Sequence, residues 1–298
     1  MNQDFLIIDT HVHTYPNIET GRQSLGSKGY GYYGTINELM EVMRNLNISY
    51  SVMANFLPLQ EMKKASITRI PADLNSRERE LSIQEIDQKM IERMKRKNRW
   101  TCEEANKNPK LIPLVSVDVI QSVDKMVKEL DSMIKMGARG MKLHPIANEY
   151  YPWDERMSLV YSKAQEAGIP ILFHSGVGEL PGWDSKYGSP SGFAKVAKAF
   201  PSLIIILAHL GRGFYEESVE AARKCSNIYF DTSTCLNPET VGEISELIRK
   251  IGVQRVLFGT DWPWRDPKKD IEIIKSMNLT DEEKKRIFGL NAKEIYKI

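Results

Sequence analysis

Two runs decide the architecture: IPILFH (residues 169–174) and LIIILAH (203–209). Neither alternates apolar with polar residues. Each is almost continuously Ile, Leu and Phe until a histidine closes it. A strand with one face in water alternates with a period of two, so short unbroken apolar runs fit strands covered on both faces, as in a parallel sheet. Working outward, six more runs have this character: FLIID (5–9), YSVMANF (50–56), LIPLVSV (111–117), RGMKLH (139–144), NIYFDTS (227–233) and RVLFGTD (255–261). The stretches between them are amphipathic and charge-laced, with helix-start signals. Thr35 with Glu38, Ser82 with Glu85 and Thr280 with Glu283 fit the reciprocal capping box, and Asn237 precedes a proline suited to a first helical position. The run 122–137 is amphipathic and ends on a glycine able to cap it. Eight strand–helix units predict an α/β fold, a (β/α)8 TIM barrel, in a single domain over residues 1–298. The surplus length falls in a Gly- and Tyr-rich loop at 17–34 and in a loop or helical insertion after strand 2, at 57–99. Both follow strand C-terminal ends, where barrels of this kind build their sites.

Composition narrows the function. Of 298 residues, 42% are hydrophobic and 27% charged, enough for a large core. The formal net charge is +2, from 41 basic and 39 acidic residues. That balance gives no reason to expect nucleic acid as a partner, since such domains concentrate basic excess. The densest basic stretch, RMKRKNR (93–99), reads as a solvated helix face. No run approaches the ~20 apolar residues of a membrane span. The N-terminus lacks the basic and long apolar regions of a signal peptide, and three cysteines without a CxxC pair read as reduced thiols. The expectation is a cytoplasmic protein without a membrane partner.

The chain has only five histidines, and all five fall at strand ends. His11 and His13 close strand 1, His144 strand 4, His174 strand 5 and His209 strand 6; Asp261 closes strand 8. The pairs Lys142/His144, Leu172/His174 and Leu207/His209 share parity, which predicts that each histidine is the last inward position of its strand. In a parallel barrel these ends meet at one rim, so five imidazoles and a carboxylate are gathered at one opening. Neutral imidazoles and a carboxylate suit a divalent cation, and a site with an open coordination position is catalytic.

The motifs IIDTHVH, GMKLHP (140–145), ILFHSG (171–176), LAHLGRG (207–213), VLFGTDWP (256–263) and IFGLNAKEIY (287–296) occur in an order that resembles the amidohydrolase superfamily of metal-dependent TIM-barrel hydrolases. The likeness is greatest to the amidohydrolase-related branch, which includes aminocarboxymuconate-semialdehyde decarboxylase. The resemblance implies that His11, His13, His174 and Asp261 hold one divalent metal, Zn2+ in the first instance, with Mn2+ or Fe2+ sharing the same ligands. It implies that His209 orients or deprotonates the water that the metal activates, with Asp261 as a second proton carrier. Lys142, His144 and Arg212 are expected to contact a substrate carboxylate or oxyanion, and Asp9 to orient a histidine from behind. A homodimer is expected from the resemblance alone.

The reading that follows is a metal-dependent hydrolase cleaving an ester, lactone or amide of a small carboxylated substrate. A nonoxidative decarboxylase built on the same site is the alternative, and a noncatalytic binding barrel the third reading. Specificity is expected to lie in the 17–34 and 57–99 segments.

Overall fold

In the computed structural model, which describes residues 5–26, 30–178 and 180–298, eight strands form one sheet in chain order. They are β1 (Ile7–Val12), β2 (Ile48–Met53), β3 (Leu111–Val115), β4 (Gly140–Leu143), β5 (Ile171–Phe173), β6 (Ile205–Leu207), β7 (Ile228–Asp231) and β8 (Val256–Leu257). All seven ladders from β1–β2 to β7–β8 are parallel. The last strand returns beside the first. Thr10 N–H donates to the Phe258 carbonyl at 2.8 Å, Asp261 N–H to that of His11 at 2.8 Å, and His13 N–H to that of Trp262 at 2.7 Å. The result is the eight-stranded TIM barrel that the apolar runs predict.

Around it lie α1 (Ile18–Leu25), α2 (Ile36–Asn45), α3 (Leu59–Ile67), α4 (Ser76–Lys107), α5 (Val123–Lys135), α6 (Ser158–Ala167), α7 (Pro190–Ala199), α8 (Tyr215–Lys224), α9 (Val241–Ile251), α10 (Pro267–Ser276), α11 (Asp281–Lys285) and α12 (Asn291–Tyr296). The capping boxes at Thr35/Glu38 and Thr280/Glu283 form in full. That at Ser82/Glu85 does not: Asn75 and Glu78 form the box about two helical turns earlier, nothing after Ser76 interrupts the helix, and the Ser82 hydroxyl donates back to the Glu78 carbonyl at 3.0 Å. The insertion after β2 is therefore helical, α3 and the long α4. The 17–34 segment is only partly loop, because Asn17 caps α1 by accepting from Thr20 N–H at 2.9 Å; its residues 27–29 lie outside the described residues.

The core has two layers, set by strand parity. Outward residues such as Met141, Leu143, Phe173, Leu207 and Phe230 pack against the helices. Inward residues Ile8, Val52, Ile112, Leu114, Leu172, Ile206 and Leu257 fill the barrel together with Ala292, Ile295 and Tyr296 of α12. Asn291 fixes that helix by donating to the carbonyls of Val253 and Val256, both at 2.8 Å. The closing motif 287–296 thus plugs the N-terminal mouth of the barrel and leaves the other mouth for chemistry. Leu172 and Ile206 are fully buried; truncating either to alanine would cost about 2–5 kcal/mol. All three cysteines are buried free thiols. No helix among the described residues is long and apolar enough to cross a membrane.

Candidate metal centre

Parity places most of the site. On β4, Met141 and Leu143 face the helices, so Lys142 and then His144 face inward; on β5, Leu172 lies inside and His174 follows two residues on. β6 breaks the expected pattern. Leu207 packs outward, and the strand ends there, so His209 is not an inward strand position. Its ring enters the barrel because the backbone turns left-handed, with φ of 60° at His209 and 50° at Leu210. Thr234 (φ 59°) and Asp261 (φ 69°) are left-handed at the same rim. Each such non-glycine residue costs on the order of 1–2 kcal/mol, held in place by the surrounding contacts. On β1 a register irregularity between Asp9 and Val12 lets Ile8 and, three residues later, His11 both point inward.

All the gathered groups are buried: His11, His13, Lys142, His144, His174, His209, Asp231 and Asp261. His13 Nε2 lies 2.9 Å and His11 Nε2 3.4 Å from Asp261 Oδ1. These three residues offer ligand atoms within 4.8 Å of one another, and could hold a metal ion. His174 does not join that trio; it stands beside His209, its Nδ1 3.1 Å from His209 Nε2, while its Nε2 is buried without a hydrogen-bond partner among the described residues.

Asp231 organises the imidazoles from behind. Its Oδ2 accepts from His11 Nδ1 at 2.8 Å, and its Oδ1 accepts from the backbone N–H of His209 and of Ser233, each at 3.0 Å. The Ser233 hydroxyl donates to the same Oδ1, so its oxygen accepts from His209 Nδ1 at 2.8 Å. The remaining protons then follow. His209 with hydrogen on Nδ1 accepts at Nε2 from His174 Nδ1, and His174 Nε2 is left as a bare lone pair. His11, donating through Nδ1, likewise presents Nε2 as a lone pair. Burial favours neutral rings. It pushes His13 down to about 4, and His144, His174 and His209 also lie below the ordinary imidazole value, with burial the first cause in each. For Asp261, burial acts to raise the carboxyl, but the facing His11 and His13 hold it well below the usual carboxylate range. Neutral nitrogens with inward lone pairs, an ionised carboxylate and an orphaned Nε2 are the donor set a divalent cation requires. The residues fit such an ion.

Asp231 is missing from any reading that hunts histidines, yet its signal is present. It shares inward parity with Tyr229 on β7 and ends a strand at the same rim as the histidines. Gly259, opposite it on the closing run, is a glycine for a local reason: a Cβ there would sit 3.1 Å from His11 Cβ and 3.3 Å from Asp231 Cβ. Asp9 behaves differently from expectation. Its carboxylate accepts from Thr260 Oγ1 at 2.6 Å and from the backbone N–H of His11 and Thr260, both at 3.1 Å, not from an imidazole. It ties β1 to the turn that carries Asp261.

The groups open into a cavity of about 530 Å³ lined by His11, His13, Lys142, His144, His174, His209 and Asp261, with Phe56, Trp183 and Trp264 as aromatic walls. Lys142 Nζ is 3.1 Å from His11 Nε2 at its floor. Arg212 is not among the lining residues; it reaches Thr234 Oγ1 at 3.3 Å and packs on the turn beside His209. Gln23, Ser24, Leu25 and Gly26 at the end of α1, Leu180 and Trp183 after β5, and Thr234 after β7 complete the described lining. Of the insertion after β2, only the preceding Phe56 reaches the cavity, so that segment is not where the lining shape is set. Tyr32 is also spent elsewhere, packing on the buried Trp262 with centroids 5.7 Å apart.

The fold is shared with solved proteins of low sequence similarity. A 2,6-dihydroxybenzoate decarboxylase from Rhizobium superposes with a TM-score of 0.70 at 17% identity, covering 99% of each chain. A dihydroxybenzoic acid decarboxylase from a Polaromonas species, solved with manganese and 2-nitroresorcinol, gives 0.72 at 17% identity over 99% of this chain and 97% of that one. In sequence, a gamma-resorcylate decarboxylase of Polaromonas is 26% identical over 119 residues; that alignment covers 33% of this chain and spans 36% of the relative's length. The family model described as amidohydrolase matches residues 8–298, nearly the whole chain, and the protein therefore belongs to the amidohydrolases, a superfamily of metal-dependent enzymes.

Proposed function

We propose that the protein is a metal-dependent nonoxidative decarboxylase of small aromatic acids, the alternative to the hydrolase reading. One observation carries this: the cavity has flat aromatic walls over a floor of ammonium and imidazole groups, with Asp261 the one carboxylate among its described lining residues. That lining suits a planar ring bearing negative charge. The decarboxylase names of the curated relative and of several fold neighbours support the same choice.

His11, His13, His174 and Asp261 are the proposed ligands, for zinc or manganese. For His174 this requires its lone-pair Nε2 to complete the set that His11, His13 and Asp261 begin. A divalent cation bound there supplies a Lewis acid that neutralises substrate oxygens. Lys142 holds the acid group at the floor, His144 stands on the wall beside His174, and Phe56, Trp183 and Trp264 orient the ring. Arg212 lies on the turn beside His209, outside the described lining of the cavity, and is assigned a role in holding that turn. In decarboxylation the bond from ring carbon to carboxylate breaks, CO2 leaves, and the carbon takes a proton in its place. Asp261, an ionised carboxylate on the cavity wall 2.9 Å from His13 Nε2, is placed to take up a proton from solvent and pass it to that carbon. His209 acts through His174, which it contacts directly.

The test is to incubate the zinc- or manganese-loaded protein with hydroxybenzoic acids, lactones and anilides, following CO2 release separately from hydrolysis. CO2 with the matching phenol is expected. Hydrolysis of a lactone or amide without CO2 would replace this reading with the hydrolase, which uses the same ligands to activate water.

A further inference from the structure

We propose that His144 is the specificity-determining residue of this site: a neutral imidazole locked as the Nε2–H tautomer, donating one hydrogen bond to a second oxygen of the substrate, distinct from the carboxylate held near Lys142. The inference rests on the decarboxylase reading for the identity of the ligand, but not for the state of the ring.

The lock is local and follows from the sequence KLHP. Pro145 begins a tight turn after β4, in which Asn148 N–H donates to the His144 carbonyl at 3.1 Å and Tyr150 N–H to that of Pro145 at 3.2 Å. Within that turn the Ala147 backbone N–H points at His144 Nδ1, 3.1 Å away. A backbone N–H can only donate, so Nδ1 must accept, and the ring hydrogen resides on Nε2. The ring plane is fixed as firmly. His144 stacks on His174 with centroids 3.9 Å apart and planes 9° from parallel; Phe56 lies at 4.6 Å, and Trp183 meets it edge-on at 4.9 Å. The ring is buried yet belongs to the cavity lining. Its Nε2 has no hydrogen-bond partner among the described residues and is not one of the fully enclosed polar atoms, so it opens to the cavity.

Two donors then rise along one face of β4. Lys142 and His144 are two residues apart, which separates their Cα atoms by about 6.6 Å at ~3.3 Å per residue. Their polar ends also have different neighbours, Lys142 Nζ beside His11 and the His144 ring beside His174, which suits two different oxygen groups on one small molecule. Lys142, beside His11 Nε2 at the floor, takes the oxygen nearest the ligand trio. His144, one ring thickness away from His174, takes the other. Because the ring is a neutral donor with its acceptor nitrogen already occupied, it rewards an oxygen acceptor and penalises a ligand that covers Nε2–H without pairing it. The ligand class is an aromatic acid carrying a hydroxyl or second carboxylate on the ring.

The test has two readouts. The first is the tautomer, read from 15N histidine spectra of the manganese-free, zinc-loaded protein; the Nε2–H pattern is expected for His144, and an Nδ1–H pattern overturns the proposal. The second is binding, read by tryptophan fluorescence for benzoate and for 2-, 3- and 4-hydroxybenzoate. In the wild type at least one hydroxybenzoate is expected to bind about tenfold or more tighter than benzoate, the size of one hydrogen bond to a buried group. His144→Phe keeps the stack and should erase that preference, so that the hydroxybenzoates bind no tighter than benzoate; His144→Gln should restore part of it. A preference that survives His144→Phe overturns the assignment. If the wild type binds none of the four acids while the spectrum still shows Nε2–H, the decarboxylase reading falls, and the proposed ligand with it.

Discussion

Asp231 does more than any other single residue to prepare the site, although it does not line the cavity. It bonds the ring of His11, the backbone of His209 and both polar groups of Ser233. Through Ser233 and His209 its influence reaches His174, so one carboxylate sets which nitrogen faces the metal on two proposed ligands. Exchanging it for asparagine keeps the shape but supplies N–H where His11 now donates. The Asp231→Asn variant should therefore lose about 10–100-fold in metal affinity, measured by competition with a chelator, while its circular dichroism is unchanged. Unaltered affinity would remove Asp231 from the site. At this scale the sequence was legible where parity held, as for Lys142, His144 and His174. At His209 the placement in the cavity holds but the parity argument does not, because Leu207 packs outward and a left-handed turn after it reverses the side on which the ring emerges. The sequence also left Asp9 ambiguous, since alternation cannot show that Thr260 and a backbone N–H claim its carboxylate.

Among the elements, the two segments of surplus length divide their roles. The 32 residues of α4, with α3, extend the shell of the barrel through Leu59, Met90 and Met94. The lining of the cavity comes from the end of α1 and from the run after β5 that carries Leu180 and Trp183. Loop length was visible in the sequence; which loop folds over the mouth was not, because that depends on tertiary packing and not on local pattern. Trp183 forms an edge-on contact with His144 and contributes an aromatic wall. Its replacement by alanine should weaken binding of an aromatic acid by about 3–10-fold, from the loss of an aromatic contact of roughly 0.5–1.5 kcal/mol. Glu61→Ala, on α3, should leave that affinity unchanged. Equal effects of the two substitutions in the same fluorescence titration would contradict this division.

For the whole molecule, two groups make stability depend on conditions. The first is Lys97 on α4, whose ammonium reaches the Thr14 carbonyl and lies over the rings of Tyr15 and Trp100 at 4.7 and 4.8 Å. Burial pushes it down to about 7 from the ordinary 10.5. Between those values the unfolded chain holds a proton that the folded chain has released, so stability rises with pH across that window. Below pH 7 both states are protonated, and the cost of the buried charge is present in full. Lys97→Met removes the group while keeping its length. The stability of the wild type relative to this variant should therefore climb from pH 7 to 10 and stay flat from pH 7 down to 5; a difference that is flat throughout would show that Lys97 keeps an ordinary proton affinity.

The second is the metal itself, and it couples the site to the entire barrel. The proposed ligands come from β1 and the residue after it, the end of β5 and the turn after β8, from the start, middle and later part of the chain, which meet only when the sheet closes. An unfolded chain cannot present them together, so an ion binds the folded state alone and stabilises it by mass action, about 2.7 kcal/mol at a concentration 100 times its Kd. Unfolding entropy near 2.1 cal/mol/K per residue makes each kcal/mol worth roughly 1.5–2 °C in a chain of this size. Chelation should accordingly lower the melting temperature by about 4–5 °C, and returning zinc or manganese should restore it in proportion to the logarithm of free metal. The same chelation applied to His174→Ala separates the ligands: a melting shift much smaller than that of the wild type is expected if Nε2 of His174 completes the set. A shift of the wild-type size in that variant would leave the metal to His11, His13 and Asp261 alone.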